Sequence, residues 1–130
     1  MKPDSRAALV YIVDDDPSVR KAIGRLMRTA GFEVREFATP EGFLSASEEV
    51  EPACALLDPS MPGLSGQEVQ NRLRAKASDW PVIAVSAHEE DSARKTSRQL
   101  GARFFFRKPV DAQALLDAVT WLTGARGAGG

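Results

Sequence analysis

Short apolar runs alternate along the chain with stretches whose apolar residues recur at helical spacing. Leu9 to Val13, Ala53 to Leu57 and Pro81 to Val85 are almost uninterrupted apolar segments, the pattern of strands covered on both faces. Phe32, Val34 and Phe37, with charges between them, predict a shorter and partly exposed strand, and Phe104 to Phe106 a fifth. The intervening segments carry Val19, Ile23, Leu26 and Met27, then Phe43 and Leu44, then Val69 and Leu73, and finally Leu115, Leu116, Val119 and Leu122. That periodicity turns one face of each helix inward. The segment from Asp91 to Leu100 is helical in character but poor in apolar anchors.

The punctuation agrees with this division. Asp16-Pro17 and Thr39-Pro40 each place a capping side chain before a proline in the first turn, where its missing N–H is no loss. Ser65 and Glu68 have the spacing of a capping box, and Asp111 caps the last helix. Gly31 and Gly101 supply left-handed stops. Strand and helix thus alternate five times, which implies parallel pairing with right-handed crossovers. The predicted fold is α/β: a flavodoxin-like (βα)5 doubly wound parallel five-stranded sheet of order 2-1-3-4-5. It is expected to span residues 1–123, with the glycine-rich residues 124–130 as a flexible tail or the start of a linker.

Composition narrows the function classes. The 130 residues suit one domain, with 43% hydrophobic and 27% charged residues. Cys54 is the single cysteine and lies in an apolar run, so an internal disulfide is excluded and a buried thiol expected. A formal net charge of −1 speaks against direct nucleic-acid binding by this domain, which would call for a basic excess. No stretch approaches the roughly 20 apolar residues of a membrane span, and Met1 to Ala8 lack a signal-peptide core. A cytoplasmic location is the expectation.

The chemistry gathers at the strand ends. Asp14-Asp15, Asp58, Ser86 and Lys108 close the first, third, fourth and fifth strands, and in open α/β sheets ligands bind outside the carboxyl ends. Like charges brought together raise one another's pKa, so three carboxylates there call for a cation. Mg²⁺ takes oxygen ligands at about 2.0–2.1 Å and retains water. Aspartate is also a nucleophile toward phosphorus, and phosphoryl transfer needs its developing charge neutralised. Lys108 is the one basic neighbour this spacing supplies.

Ile12-Val13-Asp14-Asp15-Asp16, Leu57-Asp58-Pro59-Ser60-Met61-Pro62-Gly63, Val85-Ser86-Ala87 and Arg107-Lys108-Pro109 resemble the signature blocks of response-regulator receiver domains, the CheY-like phosphoacceptors of two-component signalling. The likeness runs from about Leu9 to Leu122. It implies Asp58 as phosphoacceptor. Asp14, Asp15, Asp58 and the Ser60 backbone carbonyl would be ligands to Mg²⁺, with Mn²⁺ as substitute. Lys108, the Ser86 hydroxyl and the Ala87 N–H would hold the phosphoryl group, with Ser86 and Phe105 as the switch pair. A cis Lys108-Pro109 bond is implied too. Phe105 in place of tyrosine looks closer to the FixJ-like subfamily than to chemotaxis receivers. The implied partners are a sensor histidine kinase as donor and a second copy, through the face of helix 4, strand 5 and helix 5.

Pro59 departs from the family pattern. Proline removes an N–H and disfavours the α conformation at Asp58, so the donor facing the phosphoryl group is expected to be the Ser60 N–H. By strand alternation Phe104 and Phe106 read as core and Phe105 as partly exposed. His88 reads as a solvated loop residue and Met61 as a loop anchor. A phosphate-independent interaction module on this fold would lack Asp58, Asp15 or Lys108. A haloacid-dehalogenase-like phosphatase would carry its nucleophile on the first strand and add a cap, and a flavodoxin would carry a Ser/Thr/Gly-rich loop where Asp14-Asp15-Asp16 stand.

Overall fold

The computed structural model describes residues 7–75, 79–87 and 91–124, the side chains of residues 73 and 74 excepted. The expectations for His88, for the Leu73 side chain and for the tail at 125–130 lie outside the described residues. In chain order the elements are β1 (Leu9–Val13), α1 (Pro17–Thr29), β2 (Glu33–Phe37), α2 (Pro40–Glu49) and β3 (Cys54–Leu57). There follow α3 (Gly66–Ala75), β4 (Val82–Ser86), α4 (Asp91–Gln99), β5 (Phe104–Arg107) and α5 (Ala112–Thr123). The five strands form one parallel sheet of order β2-β1-β3-β4-β5, as the sequence predicts.

The continuous apolar runs follow from a sheet covered on both sides. On one face Val10, Ile12, Leu56, Ile83 and Val85 pack with Ile23 and Met27 of α1 and Leu115 and Val119 of α5. On the other, Tyr11, Val13, Ala55, Leu57 and Val82 pack with Phe43 and Leu44 of α2, Val69 of α3 and Leu100 just after α4. Successive residues of a strand point to opposite faces, so in β1 and β3 both parities are buried.

The caps are as expected. Asp16, Thr39 and Asp111 each accept a backbone N–H at a helix start. The Ser65 hydroxyl accepts the Glu68 N–H at 3.2 Å, which is one half of the capping box. Gly31 and Gly101 hold φ of 98° and 73°, the left-handed conformation that a helix stop demands. Phe104 overturns its expected place in the core. Its 37% exposure reflects the position of β5, an edge strand flanked by β4 alone, so its ring lies on Phe106 and the exposed Trp121 instead.

Candidate functional site

Parallel pairing puts every strand's carboxyl end on one edge, and the ladder continues one residue beyond the strands there. The Asp14 N–H donates to the Phe37 carbonyl at 3.0 Å, the Asp58 N–H to the Val13 carbonyl at 3.1 Å and the Lys108 N–H to the Ser86 carbonyl at 2.9 Å. The candidate residues Asp14, Asp58 and Lys108 are therefore held by sheet hydrogen bonds, while the loops begin after them. Ser86 is the last residue of β4 and fully buried. The Lys108-Pro109 bond is cis.

Asp14, Asp15 and Asp58 come together, with one carboxylate oxygen from each lying within 4.8 Å of the others. Asp14 and Asp58 are buried, at 3% and 8% exposure, and Asp15 is exposed. The Lys108 ammonium bridges the two buried carboxylates, 2.7 Å from Asp14 Oδ2 and 3.0 Å from Asp58 Oδ2. Burial pulls the pKa of Lys108 down, but its hydrogen bonds to Asp14 and Asp58 and their charges outweigh this and hold it above its ordinary value. The remaining Asp14 oxygen, Oδ1, accepts the Asp16 N–H at 2.9 Å. Asp16 itself is committed to capping α1. Its carboxylate accepts the Ser18 hydroxyl and N–H, which lowers its pKa.

The loop after β3 accommodates the proline. Asp58 Oδ1 accepts the Ser60 N–H at 2.8 Å, so the donor missing at Pro59 is replaced one residue on. The Ser60 hydroxyl lies 3.3 Å from the Ser86 hydroxyl. Met61 is buried, as a loop anchor should be. Phe105 is half-buried, and the Arg94 guanidinium of α4 stands 4.1 Å from the centre of its ring.

Two arginines escaped the sequence reading. Arg20 Nη1 donates to the Asp14 carbonyl at 2.6 Å, with its Nε 3.7 Å from Glu36. Lys108 is therefore not the only basic group at the acidic pocket. On a helix a lone arginine reads as a solvated surface residue, and only the packing of α1 on β2 brings Arg20 back over the strand end. Arg94 was hidden in the same way within the polar α4.

The carboxylate set is made of hard oxygen donors on one side of the site and suits a hard divalent cation. Beside it an apolar groove of about 440 Å³ runs between α1 and α5, lined by Val19, Ala22, Ile23, Leu26 and Leu115 and reaching Lys108. No helix among the described residues is long and apolar enough to cross a membrane.

Comparison with known proteins is consistent with this geometry. The sequence profile of the family described as "Response regulator receiver domain" matches residues 10–120. The response regulator protein TodT of Pseudomonas putida is 34% identical over 114 residues, covering 88% of this chain and 50% of TodT. The transcriptional regulatory protein FixJ of Azorhizobium caulinodans is 32% identical over 110 residues, covering 85% of this chain and 52% of FixJ. The chain thus spans about half the length of these curated relatives. The crystal structure of a response regulator receiver protein from Burkholderia phymatum superposes with a TM-score of 0.76 at 36% identity, covering 93% of this chain and 98% of that one.

Proposed function

We propose that this chain, which belongs to the response regulator receiver domain family of two-component systems, takes a phosphoryl group on Asp58 from a sensor histidine kinase in a Mg²⁺-dependent reaction. The observation that carries the reading is the joining of Asp14, Asp15 and Asp58 within 4.8 Å with an ammonium 3.0 Å from Asp58. An Asp58 carboxylate oxygen forms the new P–O bond, and the P–N bond of the donor phosphohistidine breaks. The electron pair returns to the imidazole and the product is an acyl phosphate. Asp14, Asp15, Asp58 and the Ser60 carbonyl would hold Mg²⁺, with Mn²⁺ as substitute, which when bound would supply charge neutralisation for the transferring group. Lys108 balances the rest of the phosphoryl charge, and the Ala87 and Ser60 N–H groups and the Ser86 hydroxyl serve as donors.

The rival chemistries do not fit the layout. Asp14 and Asp58 are both buried with a donor to each carboxylate oxygen, but Asp16, the second carboxylate that a first-strand nucleophile would need, is committed to capping α1. The loop after β1 presents carboxylates where a flavin phosphate would have to sit.

In this reading the domain is a phosphoacceptor switch in the cytoplasm, not an enzyme with a separate substrate. The apolar groove beside Lys108 offers the kinase domain a surface next to the acceptor. The face of α4, β5 and α5 is the surface for a second copy, and the domain itself makes no contact with nucleic acid. FixJ is named a transcriptional regulatory protein, and transcription is the output we infer where an effector domain accompanies this one.

Incubation with acetyl phosphate and Mg²⁺ is expected to add a single base-labile phosphoryl group, detected by intact mass. Asp58→Asn should remove it and EDTA should prevent it. Full labelling of that variant, or labelling without a divalent cation, would overturn the assignment.

A further inference from the structure

At its carboxyl end α4 is fastened to α3: Gln70 Nε2 donates to the Leu100 carbonyl at 2.7 Å. A Cβ added to Gly66 would stand 2.7 Å from Gln99 Cβ and 2.9 Å from the Thr96 carbonyl, so the two helices meet there at backbone distance. At its amino end Ala93 is the buried anchor, and Arg94 beside it reaches over the sheet edge to Phe105.

Phe105 is placed to be movable. It lies directly across the ladder from Ala84, and its strand neighbour Arg107 lies across from Ser86. The side chains of Ala84, Ser86 and Phe105 therefore share the α4 face of the sheet. Among the described residues, Phe105 belongs to neither apolar core. Its position depends on what covers it from α4.

We propose that Arg94 is a latch on this switch: its guanidinium, seated on the Phe105 ring, holds the ring and the amino half of α4 in the unphosphorylated arrangement. This rests on the reading of Asp58 as acceptor and of Ser86 and Phe105 as switch pair. A phosphoryl group on Asp58 draws the Ser86 hydroxyl away from Ser60 and opens space beside Ala84. For Phe105 to enter that space its ring must leave the guanidinium. The Arg94 contact therefore exists in one state and is lost in the other, and only such a differential contact can bias the equilibrium. A cation–π contact at a partly exposed site amounts to about a 2- to 5-fold bias.

The test is the affinity for beryllofluoride, a phosphoryl mimic, in saturating Mg²⁺, followed by NMR shifts of Ser86 and Phe105. Arg94→Met is expected to bind it about 2- to 5-fold more tightly than the parent chain. In a Phe105→Leu background the same substitution should have no effect. Loss of a positive charge alone would weaken binding of an anion, so tighter binding is the opposite of the simple electrostatic result. Unchanged or weaker binding by Arg94→Met overturns the latch while the parent chain still responds at Ser86 and Phe105. A parent chain that binds beryllofluoride without moving those resonances overturns the switch reading, and the latch falls with it.

Discussion

Replacing Lys108 by methionine isolates the electrostatics of the site. The Lys108 side chain is 14% exposed and its ammonium bridges Asp14 and Asp58, whose side chains are 4% and 10% exposed. Breaking a fully buried ion pair by removing one partner costs about 3–5 kcal/mol, while exposed pairs amount to about 0–1 kcal/mol. Here two carboxylates lose one shared cation, but the sheet edge lets water reach them. The expected loss is about 2–3 kcal/mol, a large part of a total stability on the order of 5–15 kcal/mol. Urea unfolding at pH 7 in EDTA measures it, read as a change in midpoint at constant slope. Adding Asp58→Asn to Lys108→Met removes half of the stranded charge and should restore about 1 kcal/mol or more. The resulting coupling is far outside the roughly 0.3–0.5 kcal/mol within which independent sites add. Mg²⁺ should stabilise Lys108→Met more than the parent chain, because the divalent ion then neutralises carboxylates that have lost their directly bonded counter-ion. A loss below about 0.5 kcal/mol, or strict additivity of the two substitutions, would refute the view that Lys108 is the counter-ion of this pocket.

Other outcomes follow from the same geometry. Asp15 is exposed, so Asp15→Ala should leave stability within about 0.5 kcal/mol yet weaken Mg²⁺ binding at least about tenfold by titration calorimetry, with labelling by acetyl phosphate lost in proportion. Burial pushes the Cys54 thiol from 9.0 up to about 12, so the native protein should resist alkylation at pH 8 and react only on unfolding. Above pH 9 the unfolded chain releases that proton and the folded one keeps it. Stability should then fall with pH by up to about 1.4 kcal/mol per unit from this group, a slope that Cys54→Ala removes. Ala22 lies in the apolar groove beside Lys108, so Ala22→Glu should slow phosphorylation by the cognate kinase while leaving labelling by acetyl phosphate unchanged.

Much of this was legible in the sequence because a doubly wound parallel sheet converts sequence position into spatial position. Every central strand is buried on both faces, so its apolar run is continuous and its end is marked by the first polar residue. At Asp14 and Asp58 that polar residue belongs to the candidate site, and Ser86 ends its strand in the same way. Edge strands break the correspondence. β5 has one neighbour, and the aromatic run Phe104 to Phe106 gave no sign that Phe104 would be the exposed member. Contacts that depend on helix rotation were also invisible: the hold of Arg20 on the Asp14 carbonyl and of Arg94 on Phe105 come from surface positions of helices. Their sequence pattern is that of any solvated arginine. The Ser60 N–H could be foreseen, because a proline at 59 leaves the next amide as the nearest donor.

The hydrogen bond from Lys108 to Asp58 joins residues 50 positions apart, and Lys108 follows the last strand at the far edge from β2. A growing polypeptide that has emerged only as far as β4 already contains all three carboxylates and the Ser86 hydroxyl, but no ammonium to set among them. Its acidic pocket is then two buried negative charges with an open edge. In the proposed reading, competence to receive a phosphoryl group arrives only with the last part of the described chain, when β5 zips onto β4 and carries Lys108 into place. A ribosome-released fragment ending before Phe104 should, on that proposal, be refractory to acetyl phosphate.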